Sequence, residues 1–144
     1  MQFLISLPIV GATAYTAYTD LKRREIDHWP VLAISLYGIA YRLLTSGIIE
    51  ALVSAAVTFT ILYAVYVVSK GRLGGGDVKL LTALSIFFGW HSPLLVFVSC
   101  IIAIVYILVQ GVATHQNPFK IQSPFAPSIF LATVLLSVVV AVQG

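Results

Sequence analysis

Long apolar runs follow one another from one end of this 144-residue chain to the other. Hydrophobic residues make up 60% of the sequence and charged residues only 9%, whereas a soluble globular domain has roughly 25% charged residues. A helix that spans a membrane needs about 20 predominantly apolar residues. The sequence therefore predicts an all-α, polytopic membrane protein.

Helix breakers and charged residues divide the apolar sequence into six segments. We predict a single transmembrane domain over residues 1–144, built as a bundle of six transmembrane helices. The first segment has no basic region before it and no clear cleavage site, so we interpret it as a retained helix rather than a signal peptide. The predicted helices are Phe3–Thr19, Trp29–Leu44, Ile48–Val68, Val78–Trp90, Leu94–Val112 and Phe125–Val140.

The basic residues predict the orientation of this bundle. Seven of the eight lie in or beside the connections after the first, third and fifth helices, and the positive-inside rule places those connections in the cytoplasm. Only Arg42 falls toward the other face, where we expect it to snorkel to the interface. The net charge of +3 therefore reports orientation and does not indicate nucleic-acid binding. The seven residues are Lys22, Arg23, Arg24, Lys70, Arg72, Lys79 and Lys120.

The only glycine-rich run of the chain stands just before the fourth helix and is followed at once by Asp77. Three glycines allow positive φ angles or the close approach of another chain, and an ionisable residue in an apolar chain indicates a functional site. The alternative is that Asp77 is only the N-cap of a helix that begins at Val78.

The predicted fourth helix is also short, at about 20 Å against a hydrocarbon core of about 30 Å. The glycine run either lies in a wet cleft or extends the helix. We favour the cleft, because glycine is a poor helix former.

A second aspartate, Asp20, ends the first helix at the same predicted membrane face as Asp77. It could simply balance the charges of Lys22, Arg23 and Arg24. Alternatively, the two aspartates face each other across the bundle. Two close carboxylates cannot both ionise at low cost, so they share a proton, as in the aspartic proteases.

An aspartate followed by a basic stretch, and then GxGD opening a later helix, resembles the pattern of the type IV prepilin peptidases, which are intramembrane aspartyl proteases. Gly74–Asp77 is similar to GxGD, and Lys79 to the lysine that commonly follows it. Asp20 is similar to the first catalytic aspartate. Arg24–Trp29 resembles the archaeal branch, which processes preflagellins, and Ser123–Pro127 resembles a proline motif that often opens the last helix.

The resemblance implies an endopeptidase with Asp20 and Asp77 as its catalytic pair, with Gly74 and Gly76 shaping the loop for the substrate backbone. Lys79 would be structural or electrostatic. The substrates would be type IV prepilin-like or preflagellin precursors, cut behind a short basic leader. Cleavage would take place at the cytoplasmic face of a prokaryotic plasma membrane, and the archaeal-like segment points to an archaeal one. Membrane lipid is the other partner, and no cofactor is implied. Larger members carry a cysteine-rich insertion that this chain lacks, so methyltransferase activity is not expected.

The two remaining acidic residues of the predicted cytoplasmic face, Glu25 and Asp27, are candidates for pairing with a basic leader. The three histidines, His28, His91 and His115, fall in separate connections, which argues against a metal site.

The rival function is a small transporter or channel subunit that uses intramembrane carboxylates to pass ions or protons. Both aspartates lie toward one predicted face and the chain shows no related halves, which disfavours that alternative.

Overall fold

The computed structural model describes residues 2–70, 72–117 and 124–144, and every regular element within those residues is a helix. The all-α prediction is confirmed. The elements are α1 (Gln2–Arg23), α2 (His28–Leu44), α3 (Ile48–Val68), α4 (Gly75–Phe88), α5 (Ser92–Thr114) and α6 (Ala126–Gln143), with one turn of 3-10 helix (Gly89–His91) between α4 and α5.

Three helical stretches of the described residues are long and apolar enough to cross a membrane: Ile48–Val68, Gly75–Thr114 and Ala126–Gln143. The second takes in α4, the 3-10 turn and α5. Large apolar side chains on α3 and α5 are exposed, as expected of surfaces that face lipid. The helices therefore support a membrane-embedded protein, and six spans stay a prediction.

Some predicted helix boundaries are corrected by the structure. α1 continues past Asp20 to Arg23, because hydropathy marks where a membrane ends and not where a helix ends. The predicted joint between the fourth and fifth helices lies slightly earlier than expected, at the 3-10 turn Gly89–His91. Pro93 stands in the first turn of α5, where its missing N–H would have had no helical partner. The predicted features at Pro118, Lys120 and Ser123 lie outside the described residues.

The preferred interpretation of the glycine run is also wrong, because Gly75 and Gly76 form the first turn of α4. Gly74 is the N-cap residue, with φ −62° and ψ 134°, and its carbonyl accepts hydrogen bonds from the N–H groups of Asp77 (3.1 Å) and Val78 (3.3 Å). Asp77 is therefore not the N-cap. Glycine is a poor helix former, but at Gly76 it leaves room for the side chain of Ile26.

α4 is the central helix of the fold and packs most extensively on α2 and α3. Its buried face belongs to the main hydrophobic core and includes Leu80, Leu81 and Leu84, each at most 1% exposed. Near its C-terminal end, the ring of Phe87 lies 5.0 Å from that of Tyr41 in α2. The Phe87 side chain at this end of α4 is thereby packed against α2.

The C-terminal end of α4 is held by an ion pair between α2 and α3. Arg42 donates two hydrogen bonds to the Phe87 carbonyl, at 3.0 and 2.8 Å, and lies 3.3 Å from Glu50. Glu50 in turn accepts a hydrogen bond from the N–H of Trp90 at 3.0 Å. The predicted snorkelling of Arg42 is therefore wrong, because its side chain is only 14% exposed. It hydrogen-bonds a backbone carbonyl at the end of α4 that has no partner within the helix.

Gly89 makes this arrangement possible. Its φ of 55° favours glycine, and a Cβ atom there would clash with both Glu50 and Arg42. Its carbonyl accepts a 2.7 Å hydrogen bond from Ser54 of α3. The chain can therefore turn from α4 into α5 within one short 3-10 turn.

α1 and α6 pack extensively against each other, and small side chains are buried on both helices. Thr13 and Thr16 of α1 and Ala132 and Thr133 of α6 are completely buried, and the threonine hydroxyls bond to carbonyls of their own helices. Small residues let membrane helices approach closely. The C-terminal end of α1 therefore lies beside the N-terminal end of α6, and this contact positions Asp20.

Candidate active site

Asp20 lies in the penultimate turn of α1 and is only 8% exposed. Its Oδ2 atom accepts a 3.1 Å hydrogen bond from the backbone N–H of Ala126, the first residue of α6. The first N–H groups of a helix have no partner within the helix, and the helix dipole favours a negative charge there. Asp20 therefore accepts a hydrogen bond that the first turn of α6 cannot make internally, and this hydrogen bond fixes the position of the Asp20 carboxylate.

Asp77 lies in the first turn of α4 and is also only 8% exposed. Its Oδ1 atom is buried and has no hydrogen-bond partner among the described residues. A buried polar atom without a partner is uncommon, since most such groups in native proteins are hydrogen-bonded. The free oxygen can take a proton or hydrogen-bond to a water or a substrate group.

Both aspartates are buried, one near the C-terminal end of α1 and the other at the start of α4. They come from helices α1 and α4, and the charge of Asp20 is close enough to act on Asp77. Two carboxylates that interact in this way favour a state in which one is ionised and the other protonated. The pair is therefore arranged so that it can hold one proton between two groups.

The glycines beside Asp77 have ordinary backbone angles, since none of Gly74, Gly75 and Gly76 has a positive φ. Their importance lies in the space that a missing side chain leaves for neighbouring atoms. A Cβ atom on Gly74 would lie 2.8 Å from Oδ2 of Asp77, and one on Gly76 would lie 3.0 Å from Cβ of Ile26. A Cβ atom on Gly75 would meet only Cε2 of Tyr66, at 3.9 Å. The first and third glycines are therefore spatially constrained and the second is not.

The other predicted site residues are not in direct contact with the aspartates. Glu25 is exposed, and Asp27 is half-buried and accepts a 3.4 Å hydrogen bond from the hydroxyl of Tyr15. Ile26 between them packs against Gly76, so this connection lies beside the start of α4. Lys79 is exposed and, two residues after Asp77, points about 200° around the helix from it.

Residues 7–108 match the sequence profile of the type IV leader peptidase family. This region is more than half of the chain and contains both aspartates and the glycine run. The chain belongs to the type IV leader peptidase family. The family resemblance of the sequence is thereby confirmed, and the protein is a leader peptidase-like protease. A search of the curated proteins and a search of the solved structures find no match.

Two structural features of this chain were not predicted from the sequence. One is Ile26, whose packing against Gly76 depends on how the connection after α1 folds back. The other is the ion pair of Arg42 and Glu50. It could have been sought in the sequence, because the two residues have opposite charges near the facing ends of consecutive apolar segments.

Among residues 2–70, 72–117 and 124–144 of the leader peptidase, no group of three or more His, Cys, Asp or Glu side chains is placed to hold a metal ion.

Proposed function

We propose that this leader peptidase is an intramembrane aspartyl endopeptidase, a single domain over residues 1–144. Its substrates are type IV prepilin-like or preflagellin precursors, and it removes their short basic leader at the cytoplasmic membrane face. The observation that carries the proposal is the pair of buried carboxylates, Asp20 and Asp77, one of which has an oxygen free of any partner among the described residues. The family match supports the same activity.

The proposed chemistry uses one ionised and one protonated aspartate. The ionised carboxylate takes a proton from a water molecule while the water oxygen attacks the scissile carbonyl carbon, and the protonated carboxyl donates its proton to the carbonyl oxygen. The tetrahedral gem-diol intermediate then collapses as its C–N bond breaks. The leaving nitrogen takes the proton that the first aspartate received from water, and the second aspartate, now ionised, takes the proton of the hydroxyl that becomes the new carbonyl oxygen. No group other than the two aspartates and a water is required.

Gly74 and Gly76 support this chemistry by leaving space at the Asp77 carboxylate and beside the connection after α1. Glu25 and Asp27 of that connection supply negative charge where a basic leader would arrive. We propose that these residues bind and orient the leader while the apolar part of the precursor stays in the membrane.

Cleavage in the absence of any ion gradient tests this function. The purified full-length protein in detergent is incubated with a peptide that has a basic leader followed by an apolar helix, and the products are weighed by mass spectrometry. We expect a single cut between the leader and the apolar helix. Absence of cleavage, together with ion or proton flux through reconstituted vesicles, would instead support the transporter or channel alternative.

A further inference from the structure

A groove of about 540 Å³ is lined by the first two turns of α2 and by Lys79 of α4. Its α2 side covers two turns from the start of that helix, a length of about 10 Å. The lining residues are His28, Trp29, Val31, Leu32, Ser35 and Lys79.

Lys79 provides a positive charge in this groove. It is exposed and points away from Asp77, which is buried on the other side of α4. The ion pair found among the described residues joins Arg42 and Glu50, and within those residues Lys79 has neither an ion pair nor a hydrogen bond. An ammonium group in an apolar groove with no partner of its own can receive an anion.

The rest of the groove suits an apolar chain. Val31 and Leu32 provide hydrocarbon walls, and the hydroxyl of Ser35 is already bonded to the Val31 carbonyl at 2.8 Å, so it offers no free donor. Trp29 is 72% exposed at the rim, and tryptophan is the side chain that favours the boundary between lipid headgroups and acyl chains. Because Ile26 packs on Gly76, the start of α2 and the start of α4 lie at the same level.

We infer that this groove binds an anionic phospholipid, with its phosphate on Lys79 and the first part of one acyl chain along Val31 and Leu32. A basic leader is a poor occupant, because Lys79 would repel it. The inference does not depend on the protease function proposed above, since Lys79 points about 200° around α4 from Asp77.

Tryptophan fluorescence tests the inference directly. The chain has two tryptophans, so Trp90→Phe leaves Trp29 as the reporter in the groove. This variant is reconstituted in vesicles that contain bromine-labelled phosphatidylglycerol or bromine-labelled phosphatidylcholine, because bromine on an acyl chain quenches an indole in contact with it. We expect the anionic lipid to bind beside Trp29 about fivefold more strongly than the zwitterionic one, which corresponds to about 1 kcal/mol for one lysine at the surface.

Matched variants separate a specific site from general surface charge. In the Trp90→Phe background, Lys79→Gln should bring the preference to about one, Lys79→Arg should keep it, and Lys22→Gln should leave it unchanged. Thermal unfolding verifies that each variant is folded. Equal quenching by both lipids, or an undiminished preference in Lys79→Gln, would overturn the inference. Loss of the preference on adding an unlabelled precursor peptide would also overturn it, because the precursor would then be the occupant.

Discussion

A Cβ atom placed on Gly74 would lie 2.8 Å from Oδ2 of Asp77. That separation is too short for a non-bonded contact, so any side chain at this position would displace the carboxylate. The first glycine of the GxGD sequence is therefore required for steric reasons, because a side chain there would clash with the Asp77 carboxylate. Its backbone conformation does not require glycine, because a φ of −62° is accessible to any residue. The relationship leads to a prediction for each of the three glycines.

Alanine substitutions should separate the glycines into two classes. Gly74→Ala should remain folded and lose about 10- to 100-fold in cleavage rate, because small displacements of a catalytic group are that costly. Gly76→Ala should lower the free energy of unfolding by about 1–3 kcal/mol, since its Cβ atom would crowd Ile26. The measurements are cleavage of a precursor peptide and unfolding in detergent.

Gly75→Ala is the matched control, because its added Cβ atom would meet only Tyr66 at an ordinary distance of 3.9 Å. We expect unchanged cleavage and a gain of about 0.4–1 kcal/mol in stability, since alanine restricts the unfolded chain more than glycine does. Equal losses of activity at positions 74 and 75 would contradict the spatial explanation.

The ion pair at the other end of α4 should matter for stability more than for cleavage. Removing one member of a buried pair costs roughly 3–5 kcal/mol, and because the Glu50 side chain is 30% exposed we expect about 2 kcal/mol for Arg42→Met. Phe87 and Asp77 are ten residues apart, about 15 Å along the helix, so cleavage at a permissive temperature should change little.

A double substitution tests whether Arg42 and Glu50 act as a pair. Arg42→Met with Glu50→Met should be less destabilised than the sum of the two single variants, because the second substitution removes a charge that the first left unpaired. Thermal unfolding in detergent gives the three values. Strict additivity would show that each residue acts only through its own backbone contact.

Apolar segments predicted most of the fold, because a membrane-spanning helix is specified by its own composition. The predicted Ile48–Val68 coincides with α3, whose ends stand beside Gly47 and a Ser-Lys pair. Prediction failed at the polar ends, where α1 and α4 extend beyond their apolar residues. A helix continues as long as its backbone hydrogen bonds are satisfied, and local hydropathy does not report this.

The candidate site was predicted in part. The two aspartates could be found in the sequence because ionisable residues are rare in an apolar chain. The i, i+2 spacing of Asp77 and Lys79 also indicates that the two side chains lie on different faces of a helix. The hydrogen bond from Ala126 to Asp20 could not be predicted, because it depends on how α1 and α6 pack when the two residues are 106 positions apart in sequence.

The acidic connection after α1 should influence which precursors are cut. Glu25 is exposed, whereas Asp27 already accepts a hydrogen bond from Tyr15, so we expect Glu25→Gln to have the larger effect. An exposed ion pair is worth about 0–1 kcal/mol, and cleavage of a basic leader should therefore fall by up to about fivefold. Rates are measured for matched peptides with lysine or glutamine in the leader.

The effect of Glu25→Gln should disappear with the glutamine leader, since no charge is left to pair. Asp27→Asn should also slow cleavage of the lysine leader and not of the glutamine leader, by a smaller factor than Glu25→Gln. If neither single variant nor the pair alters the ratio of rates for the two leaders, these residues do not bind the leader.

The two aspartates should fail together as a catalytic unit while differing in their structural roles. Asp20→Asn keeps an oxygen that can accept the hydrogen bond from Ala126, so it should stay folded and lose essentially all cleavage, because an amide cannot hold the shared proton. Asp20→Ala should in addition lose about 1–3 kcal/mol of stability, since the buried N–H at the start of α6 would have no partner. Asp77→Asn should also stay folded and be inactive.

The double variant Asp20→Asn with Asp77→Asn should be little worse than either single one, because residues that act as a unit are strongly non-additive in their effects on rate. Cleavage of a precursor peptide and thermal unfolding in detergent are measured on the same preparations. Substantial activity in a folded single variant would contradict the two-aspartate mechanism, because that mechanism requires one carboxylate to accept the proton that water gives up and the other to donate its own.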